Sequence, residues 1–155
     1  MKRIIVLATF LILVVSCATT YQPKGLFGGF SETQLDTDLF TVSFRGNGYT
    51  SNERASDFAL LRCADLTQTN GFIYFKIIDS QSNIKTTYSV TTDSSFNANS
   101  YGNSLYGNST SRSNVEKVER ITINMTIRLL KDKADGAYNA SFIIKSIRAK
   151  YKMDN

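Results

Sequence analysis

The chain has 155 residues, 42% of them hydrophobic and 20% charged, with a formal net charge of +5. That size fits one domain rather than two, and a mild positive charge without a dense run of lysine and arginine argues against a nucleic-acid partner. Histidine and tryptophan are absent and cysteine occurs only twice, which excludes the common zinc, copper and haem sites and predicts neither a metal site nor a cofactor.

In chain order the first element is MKRIIVLATFLILVVSC, where Lys2 and Arg3 precede an apolar run from Ile4 to Ser16 that stops at Cys17. As a helix this run would be about 20 Å long, short of a hydrocarbon core of about 30 Å, so it reads as an export signal over residues 1–16 and not as a span. Val14-Val15-Ser16-Cys17 resembles the lipobox of bacterial lipoproteins. The resemblance implies cleavage between Ser16 and Cys17, a diacylglyceryl thioether on the Cys17 sulfur and an acylated new amine. Two or three acyl chains hold a protein stably on a bilayer where one does not. Loss of Lys2 and Arg3 lowers the net charge to about +3, and lipidation leaves Cys63 without a disulfide partner in the chain.

Residues 17–37 hold the only proline and the Gly28-Gly29 pair between Phe27 and Phe30. They are expected to form a tether without regular structure before Leu39, the two phenylalanines either docking on the domain or bracketing a ligand. One α+β domain is then expected over residues 38–155.

Leu39–Arg45 alternates, with Phe40, Val42 and Phe44 on one side, and predicts a half-buried strand. Thr50–Asn70 predicts a helix. Thr50 and Glu53 fit a capping box, Asn70-Gly71 supplies the stop, and Ala55, Phe58, Ala59, Cys63 and Leu66 share one arc. Arg62 falls inside that arc, to be accommodated by snorkelling or by a carboxylate at the sheet edge. Cys63 reads as a small buried hydrophobe.

Phe72–Asp79 predicts a central strand with Ile73, Phe75 and Ile77 inward, Ser80–Asn83 a turn, and Ile84–Thr92 the second strand of a hairpin. Residues 93–114 are low in complexity, with Tyr101-Gly-Asn-Ser104 echoed by Tyr106-Gly-Asn-Ser109, and predict a mobile loop whose Tyr101 and Tyr106 are candidates for gripping a sugar or a partner. Val115–Leu130 predicts a strand with Ile121, Ile123, Met125, Ile127 and Leu129 on one face. Asn139 caps a last helix through Ala140, Ile143, Ile144, Ile147 and Tyr151. Its outer face of Lys145, Arg148, Lys150 and Lys152 is either solvated or set against anionic headgroups.

The expected fold is therefore an α+β two-layer sandwich, a mainly antiparallel sheet of about four strands in the order β-α-β-β-β-α, with both helices on one face, behind a cleaved signal peptide and tether. No nucleophile–base pair is recognisable, and the carboxylates lie singly along the chain.

Four segments carry a further resemblance: Phe27–Glu32 (FGGFSE), Phe40–Asn47 (FTVSFRGN), Asp57–Ala64 (DFALLRCA) and Gly71–Phe75 (GFIYF). They resemble a family of small proteobacterial lipoproteins, over most of residues 17–148. The resemblance implies localisation and fold and carries no activity, and it makes Arg62 and Asn47 the first candidate binding residues. Ala18 after the lipidated cysteine, by analogy with sorting in Gram-negative cells, implies the outer membrane, facing the periplasm. The expected function is a non-enzymatic binding or structural module held at the envelope membrane. The other classes are an envelope stress or assembly sensor that contacts an envelope protein through residues 93–114, and a hydrolase of cell-wall or lipid material.

Overall fold

Alternation of apolar and polar residues decides the sheet. In the computed structural model, which describes residues 18–101 and 104–153, five strands and two helices follow one another. These are β1 (Gly29–Gln34), β2 (Leu39–Arg45), α1 (Asn52–Thr69), β3 (Tyr74–Tyr101), β4 (Ser104–Leu130), β5 (Tyr138–Asn139) and α2 (Ala140–Tyr151). The signal peptide expected over residues 1–16, its cleavage position Ser16 and the lipidation position Cys17 lie outside the described residues.

All strand pairs are antiparallel and the order across the sheet is β1-β2-β4-β3-β5. The α+β class and the two helices agree with expectation; the strand count and order do not. Strand β4 is central, because Ile121, Ile123, Met125, Ile127 and Leu129 form an unbroken buried row that both β2 and β3 flank. Strands β2 and β3 run parallel with β4 between them, so the crossover through α1 skips one position. Phe75 is buried as expected and Ile77 half-buried, but Ile73 precedes β3 and remains 54% exposed at the sheet margin.

Three expectations are corrected. The segment before Leu39 is not an irregular tether: β1 pairs residue for residue with β2, from Gly29 opposite Arg45 to Gln34 opposite Phe40. Phe30 opposite Phe44 enters the core and gives this glycine-rich segment the burial that offsets its ordering entropy. Of the two phenylalanines beside Gly28-Gly29, only Phe30 docks; Phe27 is 73% exposed. Next, Ser80–Asn83 is not a turn. A bulge at Ile78 shifts the β3 register against β4, after which Ser80, Ser82 and Ile84 continue the pairing opposite Met125, Ile123 and Ile121. Finally, residues 93–114 are not a loop where they are described. They form the outer part of a two-stranded arm, in register from Ile84 opposite Ile121 out to Tyr101 opposite Ser104. Eighteen residues at about 3.3 Å each carry this arm some 60 Å beyond the core.

Helix α1 is capped by Ser51, whose Oγ accepts from Arg54 N at 3.1 Å, one residue later than the expected Thr50 cap. Thr50 is taken by other partners described below, and Glu53 is drawn to Lys150. Its C-terminus closes as a Schellman motif: Phe72 N donates to Thr67 O and Gly71 N to Gln68 O, with Gly71 at φ 75°. The expected arc is buried, joined by Leu61, Ala64 and Thr67, and packs on β2 and β4. Asn139 caps α2 as expected, accepting from Phe142 N at 3.0 Å, and Ile147 and Ala140 complete the core.

Candidate functional site

The N-terminal segment builds one wall of a surface cleft. Thr19 is only 3% exposed. Its N–H donates to Thr50 Oγ1 at 3.0 Å, and its hydroxyl donates to the Phe27 carbonyl at 2.9 Å. Asn47 closes the network: its N–H donates to Thr19 Oγ1 at 2.9 Å, and its Oδ1 accepts from Tyr49 N at 3.0 Å and lies 2.9 Å from Thr50 Oγ1. The candidate Asn47 is thus the hub that fastens the N-terminal segment to the β2–α1 loop.

From Thr19 the chain runs into a two-residue turn. Gly25 and Gly28 exchange backbone hydrogen bonds at 2.9 and 3.3 Å, which leaves Leu26 and Phe27 at the tip. Gly28 has φ 102°, and a Cβ there would lie 2.2 Å from the Arg45 carbonyl, so only glycine closes the turn this tightly against β2. Leu26 is 94% exposed. Between this turn, the β2–α1 loop and the root of the arm lies a cleft of about 630 Å³, lined by Leu26, Phe27, Arg45, Asn47, Tyr49 and Arg120 among others. In the arm, Lys85 stands directly opposite Arg120, two cations in one cross-strand pair.

Arg62 belongs to a different cluster. Glu32 lies on the helix-covered side of the edge strand β1, opposite Val42, and receives Arg62 Nη2 at 2.7 Å and Nε at 3.2 Å. The guanidinium also stacks over Phe30, 4.3 Å from its centroid. Burial would pull its pKa down, but the Glu32 carboxylate outweighs that and holds it above the usual arginine value. This is the sheet-edge carboxylate alternative, and it makes Arg62 a clasp for β1. Tyr21 extends the clasp: its ring packs on Phe30 and Phe58, and its hydroxyl donates to Asp65. Burial, then the Asp65 carboxylate, raise the Tyr21 phenol far above its normal range. The structure therefore does not bring Arg62 and Asn47 into one site.

Cys63 is buried, and burial pushes its thiol well up, as befits a core residue rather than a nucleophile. The backbones at Tyr101 and Tyr106 sit near the arm tip, opposite Ser104 and Asn99, while their side chains lie outside the described residues. On α2, Lys150 is exposed but reaches toward α1, with its Nζ 2.5 Å from Glu53 and 2.7 Å from Asp57. Among the described residues no three His, Cys, Asp or Glu side chains gather as metal ligands, and no helix is long and apolar enough to cross a membrane.

Sequence reasoning missed Thr19, Tyr21, Leu26 and Glu32. The available signal was Gly25-Leu-Phe-Gly28: glycines spaced for a two-residue turn, with two large apolar residues where turns normally carry polar ones. No protein-family model matches the chain, and no curated protein matches it.

Proposed function

We propose that the chain is an envelope lipoprotein, a non-enzymatic binding or structural module held on a membrane by acyl chains on Cys17, at the periplasmic side of the outer membrane. The basic, short-apolar, cysteine-ended order of residues 1–17 is the observation that carries this reading. The packing of Thr19, two residues on, supports it: a folded domain that begins this close to the cysteine is positioned by whatever the cysteine is attached to.

The test is mass spectrometry of the mature N-terminus together with membrane fractionation of the wild type and Cys17→Ser. The expected outcome is an acylated Cys17 and a wild-type protein in the membrane fraction that Cys17→Ser fails to join in processed form. A processed chain with a plain thiol, or equal fractionation of the two, overturns the reading.

A second reading, contact with another envelope protein through the arm, is favoured by the arm's form. Among the described residues both its strands beyond the core offer outer backbone edges with no third strand, and Ile84, Tyr88, Val90, Phe96 and Val115 on it are exposed.

A further inference from the structure

We propose that the Leu26–Phe27 turn is a second membrane contact, entering the interfacial layer of the bilayer beside the acyl chains of Cys17 while Arg45, Lys85 and Arg120 face the headgroup phosphates. This rests on the lipidation reading above, and three observations carry it.

The first is connectivity. Consecutive Cα atoms are 3.8 Å apart, so Cys17 lies within about 8 Å of Thr19. The Thr19 hydroxyl is itself bonded to the Phe27 carbonyl at 2.9 Å. A lipid on Cys17 cannot be far from this turn.

The second is the turn's build. Leu26 and Phe27 are 94% and 73% exposed at the tip of a turn closed by two hydrogen bonds and backed by Gly28 at φ 102°. A pair of large apolar side chains held outward on a rigid support has no use in water and fits an acyl–headgroup boundary. Tyr49, also exposed, stands on the same rim of the cleft and has the amphipathic ring favoured at that depth.

The third is charge. Arg45 and the cross-strand pair Lys85–Arg120 lie at this same end of the sheet, since Gly29 pairs with Arg45 and Arg45 with Thr122. Like charges directly opposite in a ladder repel, and anionic headgroups relieve that repulsion. Glu116 on the same rim is the one carboxylate lining the cleft, and Lys117, which also lines it, is paired with Glu119.

The experiment uses the absence of native tryptophan. Full-length protein carrying Phe27→Trp is isolated from membranes and reconstituted into phosphatidylethanolamine–phosphatidylglycerol vesicles, with or without acyl chains brominated near the headgroup. Phe142→Trp, a site 69% exposed at the opposite end of the sheet, is the control. The expected result is blue-shifted emission from the Phe27→Trp protein, quenched at least twofold by brominated lipid, and no quenching of the Phe142→Trp protein. Vesicle-bound, acylated protein whose Phe27→Trp emission stays unquenched overturns the turn contact and leaves the lipid anchor standing. Equal quenching of both proteins overturns the orientation. An unmodified Cys17 and no flotation with vesicles overturn the anchor and, with it, this proposal.

Discussion

Tyr21 and Cys63 are neutral groups that the fold keeps neutral, and this gives the molecule an alkaline limit. A free thiol ionises at about pH 8.5 and a free phenol at about pH 10. Burial raises both in the folded chain, Tyr21 with help from the Asp65 carboxylate and against a smaller opposing pull from Arg62. Above those pH values the unfolded chain has released protons that the folded chain still holds, so stability falls as pH rises. The contribution of each group is complete below its unfolded pKa. Thermal melts from pH 7 to 10.5 are expected to be flat up to about pH 8 and then to decline, with buried Cys63 contributing up to about 1.4 kcal/mol per pH unit. Cys63→Ala should lower the plateau slightly and postpone the decline to near pH 10, where Tyr21 begins to act. A decline that starts at the same pH in Cys63→Ala would contradict this assignment. Arg62 belongs to the same neighbourhood but is always charged, and its task is to hold Glu32 and Phe30 so that β1 stays on the sheet edge.

At the scale of elements, the parts legible in the sequence are those with one buried face. Leu39–Arg45, Ile121–Leu129 and both helices announce themselves because water on one side and core on the other impose a period on the residues. The arm does not, because both its faces are wet where its side chains are described: among those beyond Ile84 and Ile121 only Val118 is even half-buried, so serine, threonine and asparagine serve as well as valine and the pattern reads as low complexity. Strand β1 is hidden for another reason. Its pairing depends on Phe30 and on the distant partners Tyr21, Arg62 and Asp65, which no local period reports. Of the candidate site, Asn47 and Arg62 were legible as residues, whereas their opposite tasks and the Leu26–Phe27 turn depend on tertiary register. A two-stranded ribbon whose described side chains bury so little adds little stability of its own. Replacing residues 86–119 by Asn-Gly, which joins Lys85 to Arg120 through a two-residue turn at positions already paired, is therefore expected to change the melting temperature by less than about 3 °C. Cross-linking in cells then tests the arm as a partner contact. Loss of cross-linked species with the fold intact supports that reading, and an unchanged profile rejects it.

For the molecule as a whole, face matters together with end: the arm leaves the core at the same end as the turn, so a bilayer that meets the turn must lie along the arm, on the helix-free side of the sheet that carries Arg45, Lys85 and Arg120. Thr19, the apolar turn, the cleft and the root of the arm share the Arg45–Thr122 end of the sheet, while β5 and the start of α2 share the Tyr74–Leu130 end. On the proposed anchoring, a lipid on Cys17 would orient the domain as well as retain it, because the two-residue connection leaves little freedom. The size of that effect follows from chain statistics. Adding twelve Gly/Ser residues between Ala18 and Thr19 lengthens the connection from about 2 to about 14 residues and lowers the effective concentration of the turn at the bilayer roughly 20-fold, or about 1.8 kcal/mol. Full burial of a leucine or phenylalanine side chain is worth about 1.5–3 kcal/mol, so half-immersion of both Leu26 and Phe27 in the interface supplies about the same 1.5–3 kcal/mol in total. The two quantities nearly cancel. With the insertion, flotation with vesicles should be unchanged, while lipid quenching of the Phe27→Trp protein should fall by about half as the domain begins to leave the surface. Quenching at full strength would show that spacing contributes nothing and the turn holds by itself. Its complete loss would show that the short connection alone had pressed the turn against the membrane.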